Sequence, residues 1–154
     1  MSDRLRVGVT GCGVGRQHVA AFKSLPDHFE VLAVCDIDAS KAREVAESHS
    51  VPRIAPDLGA LCRMDDLDVI SLCTPSYLHY AEVDQVLAAG KHVICEKPVA
   101  GSLQELDKLM AAERASGKCV MPIFQYRFGQ GAQKLKFLIE QGIAGRAYLT
   151  TCET

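Results

Sequence analysis

VGVTGCGVGRQH, residues 7–18, is the stretch on which the reading of this chain turns. It continues an apolar run over residues 5–9 in which Arg6 is the only charge. The run breaks into Gly11, Gly13 and Gly15, and helical periodicity resumes over 14–25. Strand, glycine turn and helix in that order build an anion site. Without a Cβ the backbone can turn tightly and approach a ligand closely. The unpaired amides at the helix start, aided by the helix dipole, then face negative charge. A dinucleotide diphosphate is the usual guest of such a βαβ unit. The plain alternative is a glycine turn that only reverses the chain.

Residues 30–36, EVLAVCD, read as a second strand ending in an acid. Asp36 falls about 20 residues beyond the turn, where a ribose-binding carboxylate is expected. Such a carboxylate accepts hydrogen bonds from ribose hydroxyls and repels a 2′-phosphate. Like charges about 4 Å apart cost roughly 4 kcal/mol near a protein surface before salt screening. Asp36 therefore predicts NAD, with NADP disfavoured; its alternative reading is an ordinary loop acid.

Length and composition narrow the class. The chain has 154 residues, 48% hydrophobic and 23% charged, with a formal net charge of −2. That is enough chain for a proper core, and the charge argues against a nucleic-acid surface. No apolar run approaches a membrane span, and the first residues lack the apolar core of a signal peptide. A cytoplasmic location is the default expectation. The seven cysteines are odd in number, widely spaced and without a C-x-x-C pair, which predicts neither a disulfide framework nor a metal site. Cys35, Cys73 and Cys95 sit in apolar runs and read as buried; Cys12, inside the glycine turn, reads as partly exposed.

Strands and helices alternate along the rest. Helices are predicted over 41–48, capped by Asp38 or Ser40, over 57–64, over 77–89 closed by Gly90, and over 102–116 with Ser102 and Glu105 as a capping box and Gly117 as the stop. Strands are predicted over 53–55, 68–73, 92–95 and 119–121. Continuous apolar strands joined by helices specify an α/β fold, a doubly wound parallel sheet with helices on both faces and its crevice at the strands' carboxyl ends. The glycine turn, Asp36, Thr74-Pro75 and Glu96-Lys97 each follow such an end. From Pro122 the pattern changes: 123–131 is aromatic and polar, 133–141 is a helix with Leu135, Leu138 and Ile139 on one face, and 146–153 reads as a strand. The expected organisation is a dinucleotide-binding domain over 1–122, then, over 123–154, the crossover helix and first strand of an incomplete second domain.

The turn GCGVGRQH, the strand end CDID at 35–38, DVISLCTPSYLH at 68–79, AAGKHVICEKP at 88–98 and QYRF at 125–128 together resemble the nicotinamide-dependent oxidoreductases typified by glucose-fructose oxidoreductase, inositol dehydrogenase and MocA. The resemblance covers nearly the whole chain. It implies a Rossmann domain in which Gly11, Cys12, Gly13, Val14 and Gly15 hold the diphosphate and Asp36 the adenosine ribose. It further implies that Thr74, Pro75, His79 and Glu96 border the cofactor, and that Lys97 stands at the reacting centre. The third glycine lies one place early, at Gly15. The family's substrate domain, with its further Asp and His, lies beyond the last residue here, so the chain is expected to be a fragment that binds cofactor and turns over poorly.

Oxidising an alcohol moves a hydride from carbon and a proton from oxygen; the cofactor takes the first and the protein handles the second. Lys97 suits the proton if a crevice and the positive nicotinamide lower its pKa. Otherwise it is a surface lysine paired with Glu96. His18 reads as packing within the first helix and His92 as structural, while His79, Tyr77, Tyr126 and Arg127 are open to ligand or to packing. The expectation is the cofactor part of a CH–OH dehydrogenase acting on a sugar, cyclitol or related polyol, assembled as a homo-oligomer through the second domain. The competing expectation is a standalone, non-catalytic NAD-binding sensor or partner-assembled subunit.

Overall fold

Six strands run parallel in the order β3-β2-β1-β4-β5-β6. They are β1 Leu5–Thr10, β2 Phe29–Cys35, β3 Arg53–Ala55, β4 Val69–Leu72, β5 His92–Cys95 and β6 Val120–Pro122. The helices between them are α1 Gly15–Lys23, α2 Ala39–Ser48, α3 Leu58–Cys62, α4 His79–Ala88 and α5 Leu103–Ser116. The computed structural model describes residues 4–143 and 145–146.

Alternation along the strands divides the core into two layers. Val7 and Val9 of β1 and Val69 of β4 pack with Val19 and Phe22 of α1 and Val45 of α2. Ile70 and Leu72 of β4 and Val93 of β5 pack with Leu61 of α3, Val83 and Val86 of α4 and Leu109 of α5. Each such side chain, fully buried, contributes about 1.5–3 kcal/mol. The doubly wound parallel fold expected from the sequence is therefore present. The order reverses between β1 and β4, so their carboxyl ends flank the crevice such a sheet offers to a ligand.

Local signals set most boundaries. Asp38 caps α2 by accepting from Ser40 N at 2.9 Å, and Asp57 caps α3 by accepting from Ala60 N at 2.6 Å. Gly90 and Gly117 close α4 and α5 at φ +71° and +65°. Three details differ from expectation. α1 stops at Lys23, where the Ser24 hydroxyl donates to Ala21 O at 2.7 Å and competes with the helix. The segment before α4 is a 3₁₀ turn, Ser76–Leu78, imposed by Pro75 ahead of it. At α5, Ser102 accepts from Glu105 N at 3.2 Å, but Glu105 reaches back to Gly101 N at 2.8 Å, one residue beyond a regular capping box.

The amino-terminal edge carries its own polar lock. Arg6 donates through Nε and Nη2 to both oxygens of Asp68, at 2.9 and 2.8 Å, and its backbone amide adds a third bond at 2.9 Å. Lys91, only 6% exposed, donates Nζ to the carbonyls of Met64 and Leu67 at 2.7 and 2.9 Å.

The chain divides into two compact units, Met1–Ile123 and Phe124–Thr154. The second contains a 3₁₀ turn, Gln125–Phe128, with Arg127 over the Phe128 ring, and α6, Gln130–Glu140, which starts three residues earlier than its periodicity suggested. Gly142 follows at φ +69°. Apart from Arg146, the strand expected over 146–153 lies outside the described residues.

Candidate functional site

β1 delivers the glycine turn to the centre of the sheet's carboxyl edge. Gly11 adopts φ +84°, and a Cβ there would lie 2.5 Å from the Cys73 carbonyl carbon and 2.8 Å from Thr74 N. The turn is thus wedged against the exit of β4, and only glycine fits. Gly15 is close-packed for another reason: a Cβ would meet Val9 Cγ1 at 2.9 Å, so its absence lets α1 settle on β1. A Cβ at Gly13, by contrast, would meet nothing within 4 Å.

Internal bonds fix the turn and leave one face of it open. Gly11 N donates to Cys35 O at 2.9 Å and Gly15 N to Gly11 O at 2.9 Å. Cys12 N donates to Asp36 Oδ2 at 2.6 Å. Among the described residues the amides of Gly13 and Val14 have no acceptor, and both residues are exposed at the start of α1. An exposed pair of unpaired amides at a helix start, with open space above the intervening Cα, fits a diphosphate. The early third glycine does not spoil this arrangement, because Gly15 serves helix packing and Gly13 the open face.

Asp36, at the end of β2, accepts from Cys12 N through one oxygen and from Asp38 N through the other, at 2.8 Å. Each oxygen keeps further lone-pair capacity. The carboxylate therefore braces the glycine turn as well as lining it. Ile37 beside it is fully exposed. Cys12, expected to be partly exposed, is 2% exposed, with Sγ toward Cys35 O at 3.6 Å. Burial, then the Asp36 carboxylate, pushes its thiol up to about 11, which leaves it inert as a nucleophile. Burial likewise raises Cys73 and Cys95 to about 12.

β4 and β5 deliver the other two turns. Thr74 donates its hydroxyl to Glu82 of α4. His79, 1% exposed, sets Nε2 at 2.8 Å from Thr74 O and Nδ1 at 2.6 Å from Pro98 O. Both partners are carbonyl oxygens, so the ring is held between two acceptors. Pro75 and Lys97 are exposed, and the Lys97–Pro98 peptide is cis. The Lys97 side chain has no hydrogen-bond or ion-pair partner among the described residues, so the plain pair with Glu96 is not formed. Glu96 instead turns inward: Oε1 accepts from His18 Nε2 at 3.1 Å, and Oε2 lies 3.3 Å from Lys97 N.

His18, expected to pack within its helix, is thus the residue whose place the sequence reading missed. It reaches across to β4, where the buried Ser71 hydroxyl lies 2.9 Å from Nδ1. The available signal was its spacing: three residues after Gly15 and four before Phe22, it shares their buried face. Glu82 was missed too, three residues beyond His79 on the same helix. His92 is structural, its Nδ1 accepting from Cys119 N at 3.1 Å. Tyr77 and Tyr126 are exposed. Among the described residues no His, Cys, Asp and Glu cluster could hold a metal ion, and no helix is long and apolar enough to cross a membrane.

Comparison with known proteins follows the same lines. Residues 5–124 match the Gfo/Idh/MocA family, described as an oxidoreductase family with an NAD-binding Rossmann fold. The chain is 33% identical over 156 residues to inositol 2-dehydrogenase of Rhodococcus erythropolis, covering 99% of this chain and 45% of that protein. It is 32% identical over 151 residues to D-glucoside 3-dehydrogenase of Escherichia coli, covering 97% and 43%. The WlbA dehydrogenase from Bordetella pertussis, solved in complex with NADH and UDP-GlcNAcA, superposes with a TM-score of 0.86 at 28% identity, over 94% of this chain and 44% of that one. The chain spans less than half the length of these relatives. With its glycine turn, acid and lysine turn on one edge of a parallel sheet, the chain belongs to the Gfo/Idh/MocA oxidoreductase family and carries its NAD-binding Rossmann fold.

Proposed function

We propose that this chain is the cofactor-binding part of an NAD-dependent dehydrogenase acting on a hydroxyl of a sugar, cyclitol or related polyol. The observation that carries the reading is the exposed, unpaired amide pair of Gly13 and Val14 at the switch point of the sheet, braced from behind by Asp36. Gly11, Cys12, Gly13, Val14 and Gly15 form the diphosphate turn. Asp36 holds the adenosine ribose, and exposed Ile37 offers the adjacent adenine an apolar shelf. Thr74 and Pro75 border the cofactor, and Lys97 reaches the nicotinamide half. NAD supplies hydride acceptance when bound.

The protein's share is orientation and the proton. Lys97 projects from the rim without a competing carboxylate, so its ammonium is available to a ligand oxygen or, once deprotonated, as a base at a substrate hydroxyl. The Asp36 carboxylate disfavours a 2′-phosphate, which supports NAD over NADP. Residues 123–143 we assign to the crossover into a second domain that contributes to substrate choice and to homo-oligomer contacts. Relatives named for inositol and D-glucoside oxidation support the polyol or sugar class.

Titration of NADH into the chain, followed by nicotinamide fluorescence, tests the reading. Saturable one-to-one binding that is lost in excess ADP-ribose is expected. No change in fluorescence up to millimolar NADH would overturn it. Reduction of NAD⁺ with a polyol panel then separates a dehydrogenase from a non-catalytic binding subunit.

A further inference from the structure

We infer that His18 and His79 are positioning residues that hold the Lys97 turn from its two sides, His18 through the Glu96 carboxylate and His79 through the Pro98 carbonyl. The inference rests on the proposed cofactor site and adds to it the groups that aim its lysine. Lys97 itself is exposed and its side chain has no partner among the described residues, so no contact of that side chain sets its place. Its two chain neighbours are fixed instead. On one side Glu96 accepts from His18 Nε2 at 3.1 Å through Oε1 and faces Lys97 N at 3.3 Å through Oε2. On the other, Pro98 O accepts from His79 Nδ1 at 2.6 Å.

Each histidine is anchored elsewhere in the site. His18 stands on α1, one turn after the amide pair, with Ser71 of β4 at its second nitrogen. His79 begins α4 and sets its second nitrogen 2.8 Å from Thr74 O, in the turn that borders the glycine wedge. The lysine turn is thereby referenced to the diphosphate turn through one ring and to the Thr74-Pro75 turn through the other. The side chains of His18 and Glu96 are only 12% and 13% exposed, so their charge-assisted bond is shielded from water.

A double-mutant cycle separates positioning from mere structure. His18→Gln, His79→Gln, Lys97→Ala and the two pairs with Lys97→Ala are titrated with NADH and with ADP, which lacks the nicotinamide half. Lys97→Ala and each histidine variant should weaken NADH about tenfold while leaving ADP within about twofold. Each histidine variant combined with Lys97→Ala should bind NADH no more weakly than Lys97→Ala alone. Equal losses for NADH and ADP, or losses that add to that of Lys97→Ala, would overturn the inference. Should His18→Gln lose its native circular dichroism, Glu96→Gln carries its cycle, and should His79→Gln lose it, His79→Asn does. Failure of the wild-type chain to bind NADH would be a failure of the cofactor site itself, read before any variant is made.

Discussion

Two glycines two positions apart, Gly11 and Gly13, should respond oppositely to alanine. At Gly11 the new Cβ meets φ +84° and the backbone leaving β4, with the Cys73 carbonyl carbon at 2.5 Å and Thr74 N at 2.8 Å. Neither contact is a flexible side chain that could swing aside. The left-handed backbone costs roughly 1–2 kcal/mol, and forcing a methyl into a filled space adds about 1–3 kcal/mol. For a chain of this size the total corresponds to a fall in Tm of roughly 5–15 °C. At Gly13 the Cβ meets nothing within 4 Å, so Gly13→Ala should change stability by less than about 0.5 kcal/mol. That methyl nevertheless occupies the space above the unpaired amides and should weaken NADH at least about tenfold. Thermal unfolding by circular dichroism and NADH fluorescence, run on both variants, give the four values. A Gly13→Ala chain that binds NADH like wild type would refute the diphosphate role of this turn, and an undiminished Tm for Gly11→Ala would refute the wedge.

Asp36 should make the wild-type chain bind NADPH at least about fivefold more weakly than NADH, because a quarter of the roughly 4 kcal/mol bare repulsion suffices. Asp36→Asn removes the charge while keeping an acceptor for Cys12 N, so parallel titrations should show the two cofactors drawing together; an unchanged ratio would contradict the electrostatic account. Asp68 has its carboxyl held at about 2 by the hydrogen-bonded Arg6 guanidinium. A lowered folded-state pKa stabilises above the ordinary value of 3.8 and is lost as the pH falls from there through 2. Discounted for the partial exposure of both partners, Asp68→Asn should cost about 1 kcal/mol in urea unfolding at pH 7, with the difference from wild type closing towards pH 2; a gap that persists there would count against the pair. Cys12 should resist iodoacetamide in the native chain while exposed Cys119 reacts, as read by peptide mapping; equal labelling would show the turn to be open.

What could be read from residue order was whatever repeats locally. Val7 and Val9, Ile70 and Leu72, and Val83, Val86 and Leu87 announce strands and helices by period, and the glycines and Pro75 mark where they stop. Even the three-residue β3 was visible between Pro52 and Pro56. Partners across the sheet were not. Glu96 and Lys97 are adjacent and opposite in charge, which suggests a pair, yet the carboxylate takes its bond from His18, 78 positions away. Nothing local distinguishes a histidine with a remote carboxylate from one that packs within its own helix. Lys91 shows the same limit: its acceptors are the carbonyls of Met64 and Leu67, and backbone groups carry no residue-type signal. Cys12 reads as exposed because glycines surround it, whereas the turn that makes Gly13 open folds the thiol inward.

The central claim is that one short stretch of backbone receives the cofactor's diphosphate. Amide chemical-shift mapping of the ¹⁵N-labelled chain during NADH titration tests it most directly. The Gly13 and Val14 amides should shift most and saturate together with Asp36 and Lys97. Shifts centred on any other part of the sheet, or none at these two amides at saturation, would contradict the account.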